Sequence, residues 1–145
     1  MRVVVCTVVH HPADARIYFR QIQALLDAGH QVTYIAPFGE LGDYSERTRP
    51  TLTTVTIPRA VGRHRLGPLR AARAAMAAQV PGADLLLVHD PELLLVLPPR
   101  RGRPPTVWDV HEDTVAALTT KAWLPSWLRP VAAGGVSSAE RLAER

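Results

Sequence analysis

The 145-residue sequence has one cysteine, Cys6, and one lysine, Lys121. A single thiol excludes an internal disulfide framework, and its place in the apolar run VVVCTVV marks it as a small core residue. Long hydrophobic runs are also missing. The longest, VVVCTVV and ELLLVLPP, fall well short of a membrane span, and Arg2 leads into β-branched residues rather than the helix of a signal peptide. On this reading the protein is cytosolic. Several catalytic signatures are absent: there is no GxGxxG fingerprint, GxxxxGK[ST] loop, GxSxG elbow or CxxC pair, and HEDTV lacks the second histidine of HExxH. An ordinary dinucleotide dehydrogenase, a P-loop enzyme and a nucleophilic hydrolase all lose their main support. No internal repeat is present.

Hydrophobic residues make up 47% and charged residues 21% of the chain, the balance of a globular protein, and the length suits one α/β domain with a real core. The formal charge is +4. Nearly all of the basic residues are arginine, and Ala and Pro abound, a bias that coding in a GC-rich genome produces, so no nucleic-acid partner is expected. The charge is nevertheless uneven: seven arginines and no acid lie between Arg47 and Ala83. That face could attract phosphate or anionic lipid, or be a solvated helix and loop surface.

Apolar runs alternate with helical patterns, which predicts βαβ units and a doubly wound, mostly parallel, Rossmann-like sheet with helices on both faces. A first strand is expected from Val3 to Val9. Ala15 to Ala28 reads as a helix, with Tyr18, Ile22, Leu25 and Leu26 inward and Gly29 as its stop. QVTYIAP and TLTTVTIP are the next strands, separated by a loop, FGELGDYSERTRP. A second helix is expected from Pro68 to Gln79, with Leu69, Ala72 and Met76 inward and Arg70 and Arg73 outward. DLLLVH, a short PELLLVL segment, the loop PPRRGRPP and the strand TVWDV follow. Ser137 with Glu140 resembles a capping box, yet SAERLAER reaches the terminus without a stop signal, so the chain reads as a domain cut short.

In a sheet of order 3-2-1-4-5, ligands bind outside the carboxyl ends of the strands at the switch point. The residues leaving those ends are His10, His11, Asp14 and Arg16; then His89, Asp90 and Glu92; then Asp109, His111, Glu112 and Asp113. Four of the six histidines lie there. Each position also has a structural reading. Asp14 could cap the first helix, and Asp90 before Pro91 could cap the short one. His89 could be a buried histidine bonded to backbone. Arg16 in a first turn opposes the helix dipole and hints at an anion. His111, flanked by carboxylates, suits an acid, a base or a hydrogen-bond donor. The carboxylates and histidines could chelate a metal if they converged, but no spacing specifies one.

HHPADARIYFRQIQALLDAGHQVTYIAP, VHDPELLLVL and VWDVHED, in this order, resemble the N-terminal half of the GT4-type retaining glycosyltransferases of the GT-B fold. The resemblance spans nearly the whole chain. It implies one of two Rossmann-like domains, this one holding mainly the acceptor and an absent C-terminal one holding mainly the nucleotide-sugar donor. It further implies that His10, His11, Asp14 and Arg16 approach the donor diphosphate, that His111 contacts the transferred sugar as the catalytic residue, and that His89, Asp90, Glu92, Asp109 and Glu112 lie toward the acceptor. No cofactor or metal is implied; the nucleotide sugar is a co-substrate. Where many relatives have a glycine pair in the first loop, this chain has His10, His11, Pro12 and Ala13, which argues against backbone cradling of phosphate. The basic residues that hold the diphosphate and the E-x7-E motif belong to the absent half.

The segment AWLPSWLRPV places Trp123, Leu124, Trp127 and Leu128 together, either as a peripheral contact with the inner membrane face or a lipid-linked acceptor, or as packing against the sheet or a lost domain. The sequence reading is therefore the acceptor half of a metal-independent hexosyltransferase, inactive as an isolated chain. Its alternatives are a non-catalytic binding module that works with a partner chain, and a nucleotide-sugar epimerase of the same fold.

Overall fold

Val3, Val4, Val5 and Cys6 are apolar without interruption, the pattern of a strand covered on both faces, and all four are buried. In the computed structural model, which describes residues 1–40 and 49–110, they belong to β1 (Arg2–Cys6) at the centre of a five-stranded sheet. Its other strands are β2 (Gln31–Ala36), β3 (Leu52–Thr56), β4 (Leu85–Val88) and β5 (Thr106–Trp108). Every pairing is parallel and the order is β3-β2-β1-β4-β5. This is a doubly wound, Rossmann-like α/β sheet. Val3 to Cys6 pair with Val32 to Ile35 on one side and with Leu85 to Val88 on the other, which makes β1 and β4 the switch point.

Alternate residues of the strands feed two cores. Val3, Val5, Tyr34 and Leu87 face a first layer built by Ile17, Tyr18, Ile22 and Leu26, on the segment that ends in α1 (Gln23–Asp27). Val4, Cys6, Ile35, Leu86 and Val88 face a second layer built by Ala72, Met76 and Val80 around α2 (Leu66–Gln79) and by Leu93. A period of two in the strands thus sends neighbouring side chains to opposite layers. No helix among the described residues is long and apolar enough to cross a membrane.

The element boundaries differ from expectation for identifiable reasons. β1 stops at Cys6 rather than Val9, because the amides of Val8 and Val9 turn to the Asp90 carboxylate rather than to a neighbouring strand. The first helix is not regular. A π-helical stretch, Ile17–Ile22, precedes α1, with Gln21 N–H donating to the Arg16 carbonyl. This register draws Ile17 into the core beside Tyr18 and Ile22, while Leu25 is only partly buried. The stop at Gly29 is as expected. With φ at +79°, Gly29 donates to the Leu26 carbonyl and His30 to the Leu25 carbonyl, a paired closure that needs a left-handed residue. α2 begins two residues before Pro68 and buries Pro68, Ala72 and Met76, with Arg70 and Arg73 exposed. PELLLV forms a 3-10 helix, Pro91–Val96. Ser137, Glu140 and the tryptophan-rich segment from Trp123 to Leu128 lie outside the described residues.

Candidate functional site

The loop after β1 is organised by side chains. Asp90, which leaves β4 and is 2% exposed, sends its carboxylate into this loop. Its Oδ2 accepts from the Thr7 hydroxyl at 2.8 Å, from Val8 N–H at 2.6 Å and from Val9 N–H at 3.4 Å. Charge-assisted bonds to a buried carboxylate are strong ones, so the start of the loop is held rigidly against β4. The capping role expected of Asp90 is corrected here: its side chain makes no capping bond to the Pro91–Val96 helix, because the β1 loop takes its carboxylate. Thr7 relays the order one step further by accepting from His10 N–H at 3.2 Å. From below, the Tyr34 hydroxyl donates to the Pro12 carbonyl at 3.2 Å.

His10 stands between two carboxylates. Its Nε2 is 3.4 Å from Asp90 Oδ1 and its Nδ1 is 3.9 Å from Asp14 Oδ2, with the side chain about one third exposed. His11 is exposed, and its Nδ1 accepts from Ala13 N–H at 3.1 Å, so the neutral ring carries its proton on Nε2. Asp14 does cap: Oδ1 accepts from Arg16 N–H at 2.9 Å and from Ile17 N–H at 3.0 Å. The amides of Val8, Val9, His10, Ala13, Arg16 and Ile17 are thus all donated to side chains of this chain. Little of the loop backbone is left to cradle a phosphate, so an anion arriving here would meet side chains.

The second hub is Asp109, directly after β5. The Arg16 guanidinium donates to its Oδ1, Gln21 Nε2 donates to its Oδ2, and His89 Nδ1 lies 3.6 Å from Oδ2. The anion suggested by the placement of Arg16 is therefore supplied internally. His89 lies beside this carboxylate, and its side chain is wholly buried. Glu92 pairs with Arg65, which precedes α2. These contacts tie the ends of β1, β4 and β5 to one another at the switch point.

Cys6, at the end of β1, is fully buried. Burial pushes its thiol well above the ordinary range, and the nearby Asp90 charge pushes in the same direction. This thiol is a core group and not a nucleophile. Among the described residues no group of three or more His, Cys, Asp or Glu is arranged to hold a metal ion. A pocket of about 290 Å³ lies at the other end of the sheet, among Arg2, Gln31, Thr33, Thr51, Thr53 and Gln79, away from the cluster around Asp90 and Asp109.

Of the residues singled out in the sequence, the structure brings together His10, Asp14, Arg16, His89, Asp90 and Asp109. His11 stays on the outer side of the loop, and Glu92 joins α2 instead. His111, Glu112 and Asp113 lie outside the described residues. Thr7, Gln21 and Tyr34 were not singled out. Thr7 carries a visible signal, a hydroxyl in an otherwise apolar run. Gln21 carries none, because it reaches Asp109 only through the π-helical register.

No family model, curated protein or solved structure matches this chain.

Proposed function

We propose that this chain is the acceptor-side half of a retaining, metal-independent glycosyltransferase of the GT-B fold, transferring a hexose from a nucleotide sugar. The observation that carries the reading is the convergence of the β1 loop on Asp90 and Asp109 at the switch point, where open α/β sheets bind ligands. The order of motifs in the sequence supplies the reaction class. In the complete enzyme a second domain would hold most of the donor. His10, His11 and Arg16 would face the diphosphate and stabilise charge as it leaves. His111 would orient the sugar. The buried His89 and Asp90 would act at one remove, by fixing Asp109 and the first loop.

A non-catalytic binding module is the second reading. The observation that favours it is the pairing of Arg16 with Asp109, since a guanidinium already neutralised within the domain has less charge to offer a leaving group.

Calorimetric titration of UDP- and GDP-hexoses tests the assignment. Binding tighter than about millimolar, weakened at least about tenfold by Arg16→Ala and by His111→Ala, supports a donor-facing loop. Absence of binding confines this chain to the acceptor side. Absence of hexosyl transfer once a donor-binding domain is supplied removes the transferase reading and leaves the module.

A further inference from the structure

We infer that the turn after β3 and the outer face of α2 form a docking surface for an anionic lipid bilayer. Of the seven arginines between Arg47 and Ala83, several serve the fold. Arg49 pairs with Asp27 at 2.6 Å, Arg65 pairs with Glu92, and Arg59 Nε donates to the Val9 carbonyl at 2.9 Å. Arg63, Arg70 and Arg73 are different: they are exposed and have no acidic partner among the described residues. Arg70 and Arg73 lie three residues apart on the face of α2 opposite to Pro68, Ala72 and Met76, which enter the core. That outer face also exposes Leu66, Gly67, Ala74, Ala77 and Ala78, and it carries no acid.

Two aliphatic side chains stand among these cations. Leu66 is 72% and Val61 57% exposed, with Arg63 and His64 between them in sequence. The turn that presents them is built. Val61 bridges to His64, Gly62 takes a positive φ of 52°, and Arg65 Nε donates to the Gly62 carbonyl at 3.0 Å. Ala60 N–H donates to the Val8 carbonyl at 2.8 Å, which fastens the turn to the β1 loop.

Exposed aliphatic side chains on the same turn and helix face as exposed arginines match the headgroup region of an anionic bilayer. The aliphatic tips leave water for the acyl boundary while the guanidiniums remain level with the phosphates. Nucleic acid fits less well, because residues 47–83 contain no Phe, Tyr or Trp on which a base could stack, and exposed Leu and Val gain nothing beside a phosphate backbone. The inference does not rest on the transferase reading. It would set the β1 loop, joined to the turn through Arg59 and Ala60, close to the headgroups.

Co-sedimentation of the chain with vesicles of phosphatidylcholine, alone or mixed with phosphatidylglycerol, tests the surface. The chain is expected to bind the mixed vesicles only, and less as salt is raised. Replacing Arg63, Arg70 and Arg73 together by Ser should weaken binding about 100-fold, at about fivefold for each arginine, whereas the matching triple Lys variant should retain it. Val61→Ser with Leu66→Ser should weaken binding without changing its salt dependence. Equal binding to both vesicle types, binding unchanged in the triple Ser variant, or full competition by inorganic phosphate or single-stranded DNA overturns the inference. The salt series on the unmodified chain decides the matter even if a variant fails to fold.

Discussion

Arg16 and Asp109, 93 positions apart in sequence, form an ion pair that closes the β1 loop onto the residue following β5. Gln21 reaches the other oxygen of the same carboxylate. On a regular α-helix, positions five apart diverge by about 140° around the axis. The π-helical stretch between Arg16 and Gln21 removes most of that divergence, so two donors from one segment meet one acceptor.

A double-mutant cycle with Arg16→Ala and Asp109→Ala should give a coupling of about 1 kcal/mol, the scale of a part-exposed pair. Gln21→Ala should couple to Asp109→Ala as well, although a regular helix would separate Gln21 from Arg16. Urea denaturation of the single and double variants measures both terms. Additive effects for Gln21 and Asp109 would show that the π-helical register does not hold in solution.

Asp90→Ala should cost about 3 kcal/mol, because it leaves the Thr7 hydroxyl and the Val8 and Val9 amides without their acceptor in a buried place. Thr7→Val should cost about 1 kcal/mol, since the amides keep the carboxylate. Both follow from denaturant midpoints at an unchanged slope. Equal costs for the two substitutions would mean that Asp90 does not organise the loop.

Cys6 should resist thiol reagents in the folded protein and react at the unfolded rate only in denaturant. Its raised folded-state pKa also has a sign in stability. Below the ordinary thiol value of 9.0 both states keep the proton and nothing changes. Above it the unfolded thiol ionises while the folded one stays protonated, so stability falls as pH rises. Comparison of wild type with Cys6→Ala from pH 8 upward isolates this slope, which the variant should lack.

The architecture was largely legible because its determinants are local. Continuous apolar runs at β1 and β4, a helical period from Tyr18 to Leu26, and Gly29 as a left-handed stop all act within a few residues. The strand ends at which the candidate residues gather were legible for the same reason. Strand ends can be read, and a sheet of this order places its switch point between β1 and β4. The partnerships within the site were not. Asp90 before Pro91 has the sequence of a helix cap, and only the approach of the β1 loop diverts its carboxylate. Arg16 suggested an external anion until Asp109 arrived beside it.

Composition, hydrophobic period and turn chemistry by themselves determined the fold class, the strand ends that carry the histidines and carboxylates, and the two faces that become cores. Tertiary structure alone decided which carboxylate each donor meets, that the helix begins with a π-helical register, and that the amides of the first loop are donated to its own side chains. The physical reason is range. Burial patterns are set along one strand or helix, whereas a hydrogen bond between Thr7 and Asp90 or between Gln21 and Asp109 requires strands far apart in sequence to be brought side by side first.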